Sequence, residues 1–168
     1  LADVMTIYEH LGTLNNKNIT FIGDSNNVAK SLAFAVISLG GNFNIVSPKG
    51  YEFDEKTSNF LSGINGGEIN KYNNPEDPII NSDIVYTDVW TSMGQEDESK
   101  KRLIAFEGFQ ITKDLLDKSK KQVKFMHDLP AHPGEEIEDG LLYDSRSIVF
   151  DQSENRLWAQ TALMDYIF

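Results

Sequence analysis

The chain contains no cysteine. That absence excludes a disulfide framework, a thiolate zinc site and a cysteine nucleophile, and it fits a reducing compartment. Basic residues are scarce, with 15 Lys and Arg against 26 Asp and Glu, for a formal net charge of -11. Nucleic-acid backbones are held by basic stripes, so no nucleic-acid partner is expected. The one lysine cluster, "KSKKQVK" from Lys118 to Lys124, reads as a solvated helix end near the negative pole of a helix dipole. Long apolar runs are also missing. None approaches the roughly 18 residues of a membrane-spanning helix, and no membrane partner is expected. The opening residues, "LADVMTIYEH", carry acidic groups and lack the basic flank of a signal peptide, which points to an intracellular, cytoplasmic protein.

What is present fits one compact domain. The chain has 168 residues, of which 40% are hydrophobic and 24% charged, an ordinary globular balance able to bury about two thirds of its unfolded surface. Short β-branched runs recur at "ITFIG" (19–23), "FNIVS" (43–47), "DIVYTD" (83–88), "VKFMHD" (123–128) and "SIVFD" (147–151), with "EINKY" (68–72) as a weaker third in order. They barely alternate, as expected of strands buried on both faces. Helical patterns separate them: 26–41 with apolar spacings of three and four and a glycine stop, 54–67, 96–109, and 153–168 at the end. Residues 1–12 read as a helix preceding the first strand, and 73–83 as a loop with one short helical turn. Strand and helix in succession predict right-handed crossovers and an α/β fold, a doubly wound, mainly parallel, Rossmann-like three-layer sandwich.

Ligands of such sheets bind beyond the carboxyl ends of the strands, near the reversal of strand order. The segments expected there are "GDSNN" (23–27), "TDVWTSMGQE" (87–96), "HDLPAHPGEE" (127–136) and "DQSENR" (151–156). Each has a plain structural reading. "GDSNN" has one glycine where a dinucleotide fingerprint needs three, and Asn26 and Asn27 are candidate helix caps. His127 and His132 with Glu135 and Glu136 suggest metal ligation, yet HExxH spacing is missing and Pro130 and Pro133 prevent the required one-face helix, so no metal and no cofactor is expected. Arg156 at a helix start is ordinarily a surface salt-bridge partner.

Taken in order, "GDSNNVAKSL", "DVWTSMGQEDE", "FMHDLPAHPGEEI" and "SIVFDQSENRLWAQTALM" resemble the ornithine-binding half of ornithine carbamoyltransferases. "LADVMTIYEHLG" resembles the helix that joins that half to the carbamoyl-phosphate half. The family's Ser-Thr-Arg-Thr loop and HxxQ motif do not occur in the 168 residues, so residues 1–168 are expected to form a single ornithine-binding domain without the carbamoyl-phosphate domain. The resemblance implies transfer of a carbamoyl group from carbamoyl phosphate to the δ-amine of L-ornithine, giving citrulline and phosphate, in arginine biosynthesis. It implies that Asn27 and Asp88 hold the amino-acid head group, completed by Ser92 and the backbone of Met93. It also implies that Leu129 offers its carbonyl to the carbamoyl group, that Arg156 reaches carbamoyl phosphate, and that His127 orients the turn. Family trimers form largely through the other half, which implies a mainly monomeric isolated domain with an apolar patch near its first and last helices.

The departure is Asp128, where the family has cysteine beside the reacting amine and carbamoyl phosphate. A carboxylate of ordinary pKa, about 3.9, holds an ammonium as an ion pair and accepts its proton poorly unless burial raises that value. Three other readings stand beside the main one: a carbamoyltransferase for another amine, a non-catalytic amino-acid-binding or regulatory module, and a nucleotide-binding Rossmann domain.

Overall fold

The computed structural model describes residues 1–91 and 96–168. Five strands form one all-parallel sheet: β1 (Asn18–Ile22), β2 (Asn42–Val46), β3 (Ile69–Tyr72), β4 (Ile84–Thr87) and β5 (Lys124–His127), in the order β3-β2-β1-β4-β5. β1 and β4 lie in the middle and are buried along nearly their whole length. Their short runs therefore lack polar alternation for the reason anticipated, since both faces are covered. The helices are α1 (Ala2–Leu11), α2 (Asn27–Ser38), α3 (Glu55–Ser62), α4 (Glu76–Ile79), α5 (Ser99–Ala105), α6 (Lys113–Asp117) and α7 (Val149–Ile167). The lysine cluster follows α6 and is neutralised in part, with Lys118 at 2.6 Å from Glu76 and Lys121 at 2.7 Å from Asp83.

The sheet separates two apolar cores. One joins Phe21, Phe43, Tyr86 and Met126 to Ile7 of α1 and to Ala29, Leu32, Ala33, Val36 and Ile37 of α2. The spacing of the α2 residues places them on one helical stripe, which is why this segment folds as a helix against the sheet. The opposite core joins Ile22, Val46, Val85 and Phe125 to Phe106, Leu115, Leu116, Ile137 and Val149. Gly66 and Gly67 cross the end of α2 so closely that a Cβ on either would fall 2.1 Å from the Ile37 carbonyl oxygen or 1.8 Å from that of Gly41. Only glycine fits there.

The expected sixth strand is not formed. Ser147 makes a single parallel bridge to Phe125, and Ile148 N donates to the Phe125 carbonyl at 2.9 Å. From Val149 the chain is helical, and Val149, Gln152 and Asn155 are buried at helical spacing. The β-branched "SIV" run imitates a strand, but the face that needs burying is defined by residues three apart, a tertiary demand that overrides propensity.

Candidate functional site

The chain turns away from the sheet centre in opposite directions after β1 and β4, so a crevice opens between their carboxyl ends. It is a cleft of about 520 Å³ whose lining includes Asp3, Asn27, Tyr86, His127, Asp128, Leu129, Gln152 and Arg156. The two asparagines after β1 divide their work. Asn26 is the cap of α2: its side-chain oxygen accepts from Val28 N and Ala29 N, both at 3.0 Å. Its amide turns the other way and donates to Asp88 Oδ2 at 2.7 Å. Asn27, in the first turn, is exposed and faces the cleft. Capping at Asn26 therefore releases Asn27 for a ligand.

Asp88 follows β4 and is 9% exposed. Besides Asn26 it accepts from Val89 N at 2.7 Å, so two donors hold the carboxylate in place. Ser92 and Met93 lie outside the described residues. The loop after β1 is braced from the other side by Arg102 of α5. This buried guanidinium donates to Asp24 at 2.6 Å and to the Trp90 carbonyl at 3.1 Å, and stacks over the Tyr51 ring at 5.2 Å. The bond to Asp24 raises the Arg102 pKa against the opposing effect of burial.

The turn after β5 is built around His127, whose side chain is fully buried. His127 Nδ1 accepts from Leu129 N at 2.9 Å, so the ring proton sits on Nε2, which faces Glu136 Oε1 at 3.2 Å. Glu136, also buried, accepts from His132 N through the same oxygen. His132, Glu135 and Glu136 bring ligand-type atoms within 4.8 Å of one another. Glu136 Oε1 is committed to two donors, whereas its buried Oε2 has no hydrogen-bond partner among the described residues. Leu129 is held at a φ of 57°, in the left-handed region, and is followed by a cis bond to Pro130. A non-glycine residue in that region is sparsely populated and is maintained by its surroundings, here by the bond from its own N–H to His127.

Asp128 projects beside this turn. Its pKa is raised to about 8, first by burial, then by the carboxylate of Asp88, which follows the β4 residue paired with His127, and by Asp3. The ordinary carboxylate expected from the sequence is thereby displaced into the range of a thiol. Asp128 Oδ1 is buried without a hydrogen-bond partner among the described residues. His127 Nδ1 lies 3.6 Å away but carries no proton to offer.

Three residues at the floor of the cleft were not singled out by the sequence. Gln152 of α7 donates to Asp3 at 2.8 Å and to the Tyr86 hydroxyl at 3.0 Å, and accepts from His127 N at 3.0 Å. It thus ties α1, β4 and β5 together under the site. Burial raises the Asp3 pKa, while Gln152, Tyr86 and Arg156 pull it back. Burial, reinforced by Asp3, Asp128 and Asp88, pushes the Tyr86 hydroxyl well above its usual value. Arg156, one helical turn beyond Gln152, is exposed and lines the cleft. The expected residues Asn27, His127, Asp128, Leu129 and Arg156 therefore meet at one cleft, with Asp88 against Asp128.

Comparison with known proteins places this arrangement. Residues 15–167 match the model of the "Aspartate/ornithine carbamoyltransferase, Asp/Orn binding domain". The protein named "Ornithine carbamoyltransferase, anabolic" from Pyrococcus furiosus is 43% identical over 167 residues, covering 98% of this chain and 53% of that protein. Its solved structure superposes with a TM-score of 0.86, and ornithine carbamoyltransferase from Gloeobacter violaceus with a TM-score of 0.87 at 36% identity over 97% of this chain and 55% of that one. The chain spans about half the length of the relatives it matches. An all-parallel sheet with its polar cleft at the switch point and a family match across nearly the whole length lead to one conclusion: the chain belongs to the aspartate/ornithine carbamoyltransferase family, within its Asp/Orn-binding domain.

Proposed function

We propose that the chain is the ornithine-binding half of a carbamoyltransferase that transfers a carbamoyl group from carbamoyl phosphate to the δ-amine of L-ornithine. In that reaction the neutral amine attacks the carbonyl carbon, the bond from that carbon to the phosphate oxygen breaks, and the nitrogen gives up a proton. Citrulline and phosphate result. The observation that carries the reading is the charge pattern of the cleft: the carboxylates of Asp3 and Asp128 in its lining, Asp88 next to Asp128 at the adjoining strand end, and one cationic side chain, Arg156, on its wall. An amino acid bearing two ammonium groups fits the carboxylates, and an anionic donor fits the arginine.

In this reading Asn27, Asp88, Ser92 and the backbone of Met93 grip the head group, and Leu129 offers its carbonyl to the carbamoyl NH₂. Arg156 meets the donor. His127 is a positioning residue, because its Nδ1 fixes the Leu129 N–H at 2.9 Å and its Nε2 is occupied by Glu136. A carbamoyl-phosphate-binding domain completes the site. Its packing surface is the exposed apolar row Leu157, Trp158, Leu163, Met164 and Ile167 on α7, with Leu1 and Tyr8 beside it. Trimer formation through that other domain leaves these 168 residues monomeric. The word "anabolic" in the name of the Pyrococcus relative supports a place in arginine biosynthesis. No described helix is long and apolar enough to cross a membrane.

One observation favours a second reading, a non-catalytic ornithine-binding module: a carboxylate stands at the family's cysteine position. Calorimetry of the chain with ornithine, norvaline, putrescine and NAD tests the binding half of the proposal. Ornithine and norvaline are expected to bind and NAD is not. Citrulline formation by the protein joined to its carbamoyl-phosphate domain, and none by the 168 residues alone, separates enzyme from module.

A further inference from the structure

The stretch 132–136 lies outside the lining of the cleft and holds a buried oxygen that the proposed function does not use. Glu136 is fully buried. Its Oε1 accepts from His127 Nε2 at 3.2 Å and from His132 N, whereas its Oε2 has no hydrogen-bond partner among the described residues. A buried carboxylate oxygen left without a donor or a cation is costly. Among the described residues, the basic groups near Glu135 and Glu136 are imidazoles, His132 at 3.9 Å from the first and His127 at 3.2 Å from the second. Lysine and arginine do not supply the missing charge.

The same stretch gathers metal-ligand atoms. His132, Glu135 and Glu136 each bring one within 4.8 Å of the others. The sequence argued against a metal because Pro130 and Pro133 forbid the helix of an HExxH motif. The chain reaches a similar grouping by a turn instead: Glu135 N donates to the His132 carbonyl at 2.9 Å, and Gly134 sits at a φ of 94°. Its backbone is pinned from outside, since Gln110 Nε2 donates to the Glu135 carbonyl and Ile111 N to that of Glu136, both at 2.9 Å. Two of the three side chains keep their freedom, His132 being 50% and Glu135 37% exposed. Zinc bonds of about 2.1 Å in a tetrahedral shell put ligand atoms roughly 3.4 Å apart, which these two side chains reach by rotating towards Glu136.

We propose that His132, Glu135 and the unpartnered Oε2 of Glu136 bind one divalent transition-metal ion of the zinc class, which locks the turn after β5. One imidazole and two carboxylates neutralise the ion's charge and suit zinc or cobalt, whereas magnesium and calcium favour oxygen ligands alone. His127 then becomes the outer partner of a ligating carboxylate, and its Nδ1 carries the restraint to Leu129 N. The inference does not depend on which amino acid the cleft binds.

Calorimetric titration of zinc chloride into the chelator-stripped 168-residue chain tests it, with magnesium chloride as the comparison. One zinc ion per chain is expected, and no magnesium at the same concentrations. His132→Ala and Glu135→Gln, both at partly exposed positions, are each expected to weaken zinc by at least about a hundredfold. His10→Ala, at the exposed histidine beside Asp151, is expected to leave it unchanged. In the unaltered chain zinc is expected to slow hydrogen exchange at the Leu129 and His132 amides, to shift the His132 ring nitrogens in NMR spectra, and to raise the midpoint of thermal unfolding by several degrees. Absence of zinc binding at millimolar concentration overturns the inference. Binding that survives His132→Ala, or that is lost in His10→Ala, overturns it equally by placing the ion elsewhere.

Discussion

Asp24, after β1, and Asp128, after β5, stand at the same edge of one sheet in opposite electrostatic settings. Asp24 meets the Arg102 guanidinium at 2.6 Å, and that arginine is in turn fixed by the Trp90 carbonyl and the Tyr51 ring. Asp128 meets other carboxylates and an unprotonated ring nitrogen. The first pair is closed, with charge and stacking matched inside the chain and only Arg102 Nε lacking a hydrogen bond among the described residues. The second is open, and its missing cation has to come from outside. Structural charges in a domain are those that find their partner within it, whereas a carboxylate kept partly buried and uncompensated is held ready for a ligand.

The comparison breaks most severely at its closed side. Arg102→Met leaves Asp24 with a largely dry, unpaired charge and is expected to lower unfolding stability by about 3 kcal/mol in urea denaturation. The open side responds in the reverse direction. The folded-state pKa of Asp128, about 8, lies above its unfolded value, so between about pH 4 and 8 the folded chain holds a proton that the unfolded chain has lost. Stability therefore declines as pH rises through that window. Asp128→Asn, which cannot ionise, is expected to raise stability at pH 8 by about 2 to 3 kcal/mol and to flatten the pH dependence, after allowing for a side chain 28% exposed. Thermal unfolding of both chains at pH 5 and pH 8 reads the difference; greater loss in the variant at pH 8 would place Asp128 with the closed pair.

Asp88→Asn sharpens the contrast in ligand affinity. Removal of the anion for the α-ammonium is expected to weaken ornithine binding by about 2 kcal/mol, roughly thirtyfold in Kd by calorimetry. An unchanged Kd moves the head group elsewhere. The smallest effect is expected at Asn26, which belongs to both worlds. Asn26→Ala removes the cap of α2, worth about 1 kcal/mol of stability, and one of the donors that hold Asp88. Chemical denaturation measures the first loss, and a modest rise in the ornithine Kd accompanies it.

Much of this was legible in the sequence. Four of the five strands are short runs buried along most of their length, the edge strand β3 being the half-exposed exception, and α2 is a stripe at spacings of three and four. Strand positions were readable because burial dictates composition directly. The sixth strand fails because Gln152 and Asn155 are buried by the packing of α7 against α1 and Val149 in the opposite core, tertiary contacts that the local run "SIVFD" does not contain. Family motifs located Asn27, Asp88, His127, Asp128, Leu129 and Arg156. They could not state that Asn26 rather than Asn27 is the cap, since both satisfy the same residue rule and only the turn of the chain distinguishes them. Asp3 and Gln152 are 149 positions apart, and Arg102 meets Asp24 across 78. Such pairings carry no local signal, and the raised pKa of Asp128 depends on burial and on Asp88, both unseen in a list of residues.

The bonds between α1 and α7 also set an order of events during synthesis. Asp3, Thr6 and Glu9 reach Gln152 and Asn155, and His10 reaches Asp151 at 2.8 Å. On the ribosome α1 is made before its polar partners, which are translated some 140 residues later. A helix of 10 residues is marginal alone in water, and closing so long a loop is among the slower contacts a chain makes. The floor of the cleft, where Gln152 joins Asp3 to Tyr86, is thus finished last, after the parallel sheet beneath it. A nascent chain stalled before α7 would carry a nearly complete sheet and no ligand site, because the residue that joins its three elements has not yet left the tunnel.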